Sequence, residues 1–255
     1  ALDPAIAQMQ QRWKASGIPD LYEGRDGPVS RERARNVRCV FYPKPDLPHG
    51  TIENITIPGP GGVIPVRIIR PLAGEPTGTL VFFHGGGFIL GDLDSHEAHA
   101  IRLANRAGVV VVHVDYRLAP EHIFPAAADD AEASLAWAHA HLAELGGVDK
   151  PLAVAGDSAG GNLCAATAHA LRGSGVEILG QVLIYPGLGG DVDAGSYVAH
   201  AKAPMLTRED VLFYKDIRHG GPPPAGDPGP KPTAQPLIQP PRSGSAAGPG
   251  FSTGS

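Results

Sequence analysis

The sequence predicts an α/β protein built on an open, mostly parallel sheet with helices on both faces. Three observations carry that prediction. Four short runs, at 78–83, 107–115, 151–156 and 178–186, are apolar on both faces, as strands of a helix-covered parallel sheet are. Helix-forming stretches at about 96–106, 127–145 and 158–172 alternate with them, the order that gives parallel neighbours. Ahead of these, residues 51–57 and 63–70 alternate on either side of a Gly/Pro turn. They predict a β-hairpin, which adds an antiparallel edge to the sheet.

The N-terminal stretch at 3–16 predicts an amphipathic helix. Asp3 serves as N-cap, Pro4 suits the first helical position and Gly17 the stop. Ile6, Met9 and Trp13 share one face of it, so that face needs a partner surface. A polar connector rich in Arg, Asp and Glu is expected between Glu23 and Arg38. From Gly220 onward Gly and Pro make up half of the residues, a composition typical of low-complexity segments.

The chain has 255 residues and a net charge of -5. That length can bury a sizeable core. The charge argues against a nucleic-acid partner or an anionic membrane surface. Apolar runs such as Val109–Val112 are far too short to span a bilayer, and no signal peptide is expected at the N-terminus. Two cysteines, Cys39 and Cys164, occur without a CxxC pairing. They could form one disulfide, but a reduced pair in a cytoplasmic protein is the plainer expectation.

Two motifs carry chemistry. Gly156-Asp157-Ser158-Ala159-Gly160 fits G-x-S-x-G between a buried strand and a helix-forming run. A serine on such a sharp turn is held in a strained conformation, and its neighbours two residues away must be small. The following helix brings its positive end near the hydroxyl. Upstream, His84-Gly85-Gly86-Gly87 closes another buried strand. Successive glycines let the backbone approach a ligand and aim N–H groups at a tetrahedral oxyanion. A phosphate cradle is the competing reading of that loop, but no Lys-Ser/Thr follows as a P-loop requires.

With "HGGGF" at 84–88, "DYRLAPEHIFPAAADDAEA" at 115–133 and "GDSAGGNL" at 156–163, the sequence resembles the hormone-sensitive-lipase-like branch of the α/β-hydrolases, bacterial carboxylesterases. The resemblance covers roughly residues 1–219. It implies an α/β-hydrolase fold with an N-terminal helical cap over the acyl pocket and a second cap segment near 189–217. It implies Ser158 as nucleophile, Gly86, Gly87 and Ala159 as oxyanion donors, and His84 as a loop-orienting residue, with Gly85 and Asp157 in supporting positions. "DYRLAPEHIFP" reads as structural, with Arg117 and Glu121 expected to pair. Phe88, Trp13, Leu206 and Phe213 are candidates for lining an acyl pocket or for core packing. The domain plan that follows is cap helices and connector at 1–45, hydrolase core at 46–188, second cap segment at 189–219 and a Gly/Pro-rich tail at 220–255.

The implied activity is hydrolysis of short- to medium-chain acyl esters through an acyl-enzyme, with no metal or organic cofactor and a small-molecule ester as substrate. Members of the family often pair through an edge strand, so a homodimer is an expectation. The alternative is a catalytically impaired or non-catalytic binding member of the same fold, because the triad acid and base are not visible. Only His169, His200 and His219 follow Ser158. His169 lies about 16 Å along the same helix, His200 falls in the cap segment, and nothing in the sequence positions His219. His96 and His99 fail the HExxH spacing and read as surface or capping residues. The family pattern expects an Asp-Pro and then a His-Gly segment further on. "DPGPKPTAQPL" at 227–237 resembles the element that precedes them, and past Leu237 the resemblance stops. That abruptness suggests a shifted reading frame or a truncation, which would leave the strand at 178–185 as an unprotected apolar edge.

Overall fold

The computed structural model describes residues 3–41, 45–147, 149–204 and 206–221. The Gly/Pro-rich stretch beyond residue 221, with its Asp-Pro element, lies outside the described residues, as does the side chain of Cys39. The elements run α1 (Pro4–Ser16), α2 (Gly27–Phe41), β1 (Ile52–Gly59), β2 (Gly62–Ile69), β3 (Thr79–Phe83), α3 (Glu97–Ala107), β4 (Val110–Val114), α4 (Ala126–Ala140), β5 (Leu152–Asp157), α5 (Ala159–Ala170), β6 (Gly180–Ile184), α6 (Gly195–Ala199) and α7 (Arg208–Arg218). The six strands form one sheet in the order β1-β2-β4-β3-β5-β6. The hairpin β1–β2 and its join to β4 are antiparallel, and all remaining pairs are parallel.

Alternation along each strand divides the core in two, because successive side chains point to opposite faces. Val81 and Phe83 of β3 join Val110, Val112 and Val114 of β4 on one face, under Ala131, Leu135 and Ala138 of α4 and Leu163 and Cys164 of α5. Leu80 and Phe82 join Val111 and Ala155 on the other, under Ala100, Ile101 and Ala104 of α3. Both faces are therefore apolar for a packing reason. The strands read as continuous apolar runs because each side has its own helix layer.

The connector expected between Glu23 and Arg38 is largely helical: α2 occupies Gly27–Phe41. Its polarity reflects what it grips. The Arg31 guanidinium donates to the Ile89 and Ala119 carbonyls and to both carboxylate oxygens of Glu121, all at 2.8–2.9 Å. The expected Arg117–Glu121 pair is thus corrected. Glu121 is taken by Arg31, and Arg117 forms a two-pronged pair with Asp130, a fully buried carboxylate on α4. A buried acid needs such a partner more than an exposed one does.

In α1 the Asp3 cap and the Gly17 stop are in place, with Asp3 Oδ1 accepting from the Ala5 N–H. No α1 residue is fully buried, and Ile6, Met9 and Trp13 are half-buried. A small third cluster joins Ile89, Leu90 and Phe213 with Tyr22, Ala34, Tyr214 and Ile217, and so packs α7 and α2 against the segment after the glycine loop. Phe88 and Phe213 are buried, whereas Leu206 is 45% exposed. Among the described residues β6 is an edge strand, with Leu179 and Val182 79% and 50% exposed.

Among the described glycines the tightest approach lies between the end of β3 and the start of α5. A Cβ added at Gly160 would stand 1.9 Å from the Phe83 carbonyl oxygen, whereas one at Gly180 on β6 meets nothing within 4 Å. Gly160→Ala is expected to destabilise the chain by about 3 kcal/mol or more, and Gly180→Ala by far less. Urea midpoints of the two variants, measured together, check this.

Candidate active site

The pairing of β3 with β5 builds the site. Phe83 stands opposite Gly156, so the residues that follow each strand, His84–Gly87 and Asp157–Ala159, leave the sheet side by side. A hydrogen bond then ties them together: the Gly85 N–H donates to Asp157 Oδ1 at 2.9 Å.

Ser158 occupies the turn itself, with φ 51° and ψ −112°. Positive φ in a residue with a Cβ costs of order 1–3 kcal/mol, so the surroundings must impose it. The Ser158 N–H donates to the Ile184 carbonyl at 2.9 Å, and the Ser158 carbonyl accepts from Asn162 and Gly187 at 3.1 and 3.2 Å. Asn162 adds a side-chain bond to the Gly187 carbonyl at 2.8 Å, which pins α5 to the segment after β6. Ala159 opens α5, so its N–H has no acceptor within the helix.

The glycine loop leaves two amides free. Gly86 (φ 129°) and Gly87 (φ 62°) are left-handed, and their N–H groups donate to no acceptor among the described residues. Tyr214 packs where a Gly87 Cβ would stand. Phe88 follows, also at positive φ (64°), with the Arg218 guanidinium 3.8 Å over its ring centroid. Burial lowers Arg218 to about 10. No sequence signal marked this arginine.

His84 is fully buried. Its Nδ1 lies 2.9 Å from the Gly85 carbonyl, and its ring stacks on Tyr116 at 4.5 Å. The Tyr116 hydroxyl donates to the His84 carbonyl at 2.6 Å. Burial, helped by His96, lowers the His84 pKa to about 4. His113 on β4 is also fully buried, has no hydrogen-bond partner on either nitrogen, and lies well below its ordinary value, chiefly through burial. Asp157 is pushed up by burial, yet the proximity and charge of His96, with the Gly85 N–H, bring it below the usual carboxylate value.

The later histidines do not complete a triad here. His169 lies far along α5, His200 follows α6 at the surface, and His219 turns its Nδ1 to the Lys215 carbonyl at 2.7 Å while packing on Phe124. Among the described residues the Ser158 hydroxyl has no hydrogen-bond partner. His96, expected to be a surface or capping residue, holds the N-cap position of α3 without a side-chain cap bond, and turns its Nε2 to 3.8 Å from Asp157 Oδ2. The sequence carried no signal for that contact, because it spans two elements. Although four histidines gather around the loop, no group of three metal-binding side chains converges among the described residues.

A family model described as the alpha/beta hydrolase fold matches residues 80–248. The chain belongs to the α/β-hydrolase fold family. Over 220 residues it is 38% identical to the carboxylic ester hydrolase LipN of Mycobacterium tuberculosis, covering 84% of this chain and 58% of that protein. Over 215 residues it is 41% identical to the carboxylesterase NlhH of the same species, covering 82% and 65%. The chain thus spans about three-fifths of the length of these curated relatives. Among solved structures, the hyperthermophilic esterase of the archaeon Pyrobaculum calidifontis superposes with a TM-score of 0.77 at 38% identity, over 87% of this chain and 71% of that one. Among the described residues no helix of the chain is long and apolar enough to cross a membrane.

The buried histidines set an acid sensitivity. Between about pH 6.5 and 4 the unfolded chain protonates His84 and His113 while the folded chain refuses those protons, so stability falls as pH falls. The lowered Asp157 adds to this at lower pH. Asp115, raised to about 6 mainly by burial, opposes it. His84, His113 and His99 are all lowered and act in the same direction, so the histidines outweigh the one opposing carboxylate. Urea midpoints are expected to drop between pH 7 and pH 5, and His113→Leu is expected to flatten the drop.

Proposed function

We propose that this chain is a carboxylic ester hydrolase acting on short- to medium-chain acyl esters of small molecules, with Ser158 as its nucleophile. The observation that carries the reading is the strained Ser158 turn hydrogen-bonded, through Asp157, to a glycine loop with two free amides. Ser158 Oγ attacks the ester carbonyl carbon, and its proton passes to a base. The carbonyl oxygen takes the negative charge and is stabilised by the Gly86, Gly87 and Ala159 N–H groups, where preorganised donors act most strongly. Collapse of the tetrahedral intermediate breaks the bond to the alcohol oxygen, and the base returns its proton to the departing alkoxide. Water then hydrolyses the acyl-enzyme, freeing the acid and restoring the Ser158 hydroxyl.

His84 serves this scheme as a neutral loop holder. A nitrogen lowered to about 4 and turned to a carbonyl is a poor base for Ser158. The names of the relatives, a carboxylic ester hydrolase and a carboxylesterase, support the same chemistry. A binding protein on this fold would have no use for a strained serine, which supports the enzyme over the binder. The reading includes a cytoplasmic location, supported by the free, buried Cys164 thiol, and a homodimer joined through a sheet edge, supported by the exposed apolar β6.

The test is acylation by p-nitrophenyl butyrate, read as nitrophenolate release and as a butyryl adduct on the peptide holding Ser158. The adduct is expected in the wild type and absent in Ser158→Ala. Where a complete set of catalytic groups is present, turnover of order 1–10³ s⁻¹ is expected. Release that persists unchanged in Ser158→Ala, or no adduct in either protein, overturns the reading.

A further inference from the structure

The root of the glycine loop is held by stacked rings. His84 lies between Tyr116, stacked at 4.5 Å, and His96, stacked at 5.3 Å. The His96 ring bridges outward as well: Nδ1 lies 2.9 Å from Ser95 Oγ, and Nε2 lies 3.8 Å from Asp157 Oδ2. The other oxygen of that carboxylate accepts the Gly85 N–H at 2.9 Å. A contact at 3.8 Å is too long for a hydrogen bond, so the pull of His96 on Asp157 is a matter of charge.

The segment bearing His96 is itself fixed. Arg67 of β2 donates to the Leu93 carbonyl at 3.3 Å and to Asp94 at 3.0 Å, and pairs with buried Glu97. Ser95 closes the turn by bonds to Asp92 in both directions. When the Ser95 hydroxyl donates to the Asp92 carbonyl, at 2.9 Å, it can only accept at its contact with His96. His96 Nδ1 is then the donor in that contact, and a proton on Nε2 would face the Asp157 carboxylate.

The charged and titratable groups around His96 come from every element packed against it. They are His84 after β3, His113 on β4, Asp157 on β5, His99 on α3, with Arg102 near it, and Asp92 in the loop. Burial keeps His84 and His113 neutral, and it also lowers His99. The Asp157 carboxylate is therefore the charge that His96 meets most directly.

We propose that His96 is a positioning residue: as an imidazolium it holds the Asp157 carboxylate against the Gly85 N–H and so sets the oxyanion loop, and its deprotonation loosens that loop. The inference rests on the proposed role of Gly86 and Gly87 as oxyanion donors. It makes the loop's order a function of pH without involving the nucleophile.

The test is amide and histidine-ring NMR on the full 255-residue chain, which needs no turnover. In the wild type the Gly85 amide proton is expected to shift with the same midpoint as the His96 ring. Its hydrogen exchange is expected to quicken about tenfold above that midpoint, beyond the intrinsic pH effect, as loss of a partly buried ion pair implies. His96→Gln, neutral and of similar reach, is expected to abolish the step and give the fast exchange at all pH values. A Gly85 amide that stays flat while the His96 ring titrates overturns the proposal, as does unchanged exchange in the variant. Should His96→Gln fail to fold, the wild-type titration alone decides. Butyryl transfer to Ser158, followed on the same samples, reports separately on the hydrolase reading.

Discussion

The parallel pairing of β3 with β5 is the constraint on which the rest of the structure depends. It places Phe83 opposite Gly156, so the glycine loop and the serine turn emerge at one level on the same end of the sheet. Their contact is close because α5 begins directly against the end of β3, at Gly160. The Gly85–Asp157 hydrogen bond then converts adjacency into fixed geometry. Catalysis of acyl transfer gains most from donors that need no reorganisation as charge develops. A register between two strands is the cheapest way to hold such donors beside a hydroxyl.

Fixing this geometry has a cost, which the core offsets. Ser158 and Phe88 both adopt positive φ, and His113 is buried with both nitrogens unpartnered. Each feature is unfavourable by of order 1–3 kcal/mol. The two apolar clusters on either face of the sheet supply the opposing stability. Ser158 directly follows β5 and Phe88 lies in the loop after β3, so both are anchored by strands of that core. β6 shows the opposite condition: among the described residues its outer side has no neighbour, and Val182 on it remains half exposed.

The sheet was legible in the sequence because its strands are short, apolar on both faces and separated by helical runs. Periodicity and breakers are local signals, and the hairpin, α1, α3, α4 and α5 follow from them. The serine turn and the glycine loop were legible for a similar reason, since each is a contiguous string whose small residues are demanded by backbone crowding. α2 was missed because its many charged residues read as a polar connector, and its use, gripping Glu121 and two carbonyls, appears only in three dimensions. Arg117 was assigned the wrong acid for the same reason. Its partner Asp130 lies thirteen residues on, on a helix, and nothing local favours it over Glu121. His96 and Arg218 act through contacts between distant elements, which no spacing rule reports.

The most direct measurement is a crystal structure of the chain with an alkyl phosphonate trapped covalently on Ser158, since the phosphonyl oxygen stands where the oxyanion would be. The expected result places that oxygen about 2.7–3.1 Å from the amide nitrogens of Gly86, Gly87 and Ala159, with the Gly85–Asp157 bond unchanged. A phosphonyl oxygen turned to solvent, with the Gly86 and Gly87 amides out of reach, would contradict the claim that the β3–β5 register and the Gly85–Asp157 bond assemble an oxyanion site.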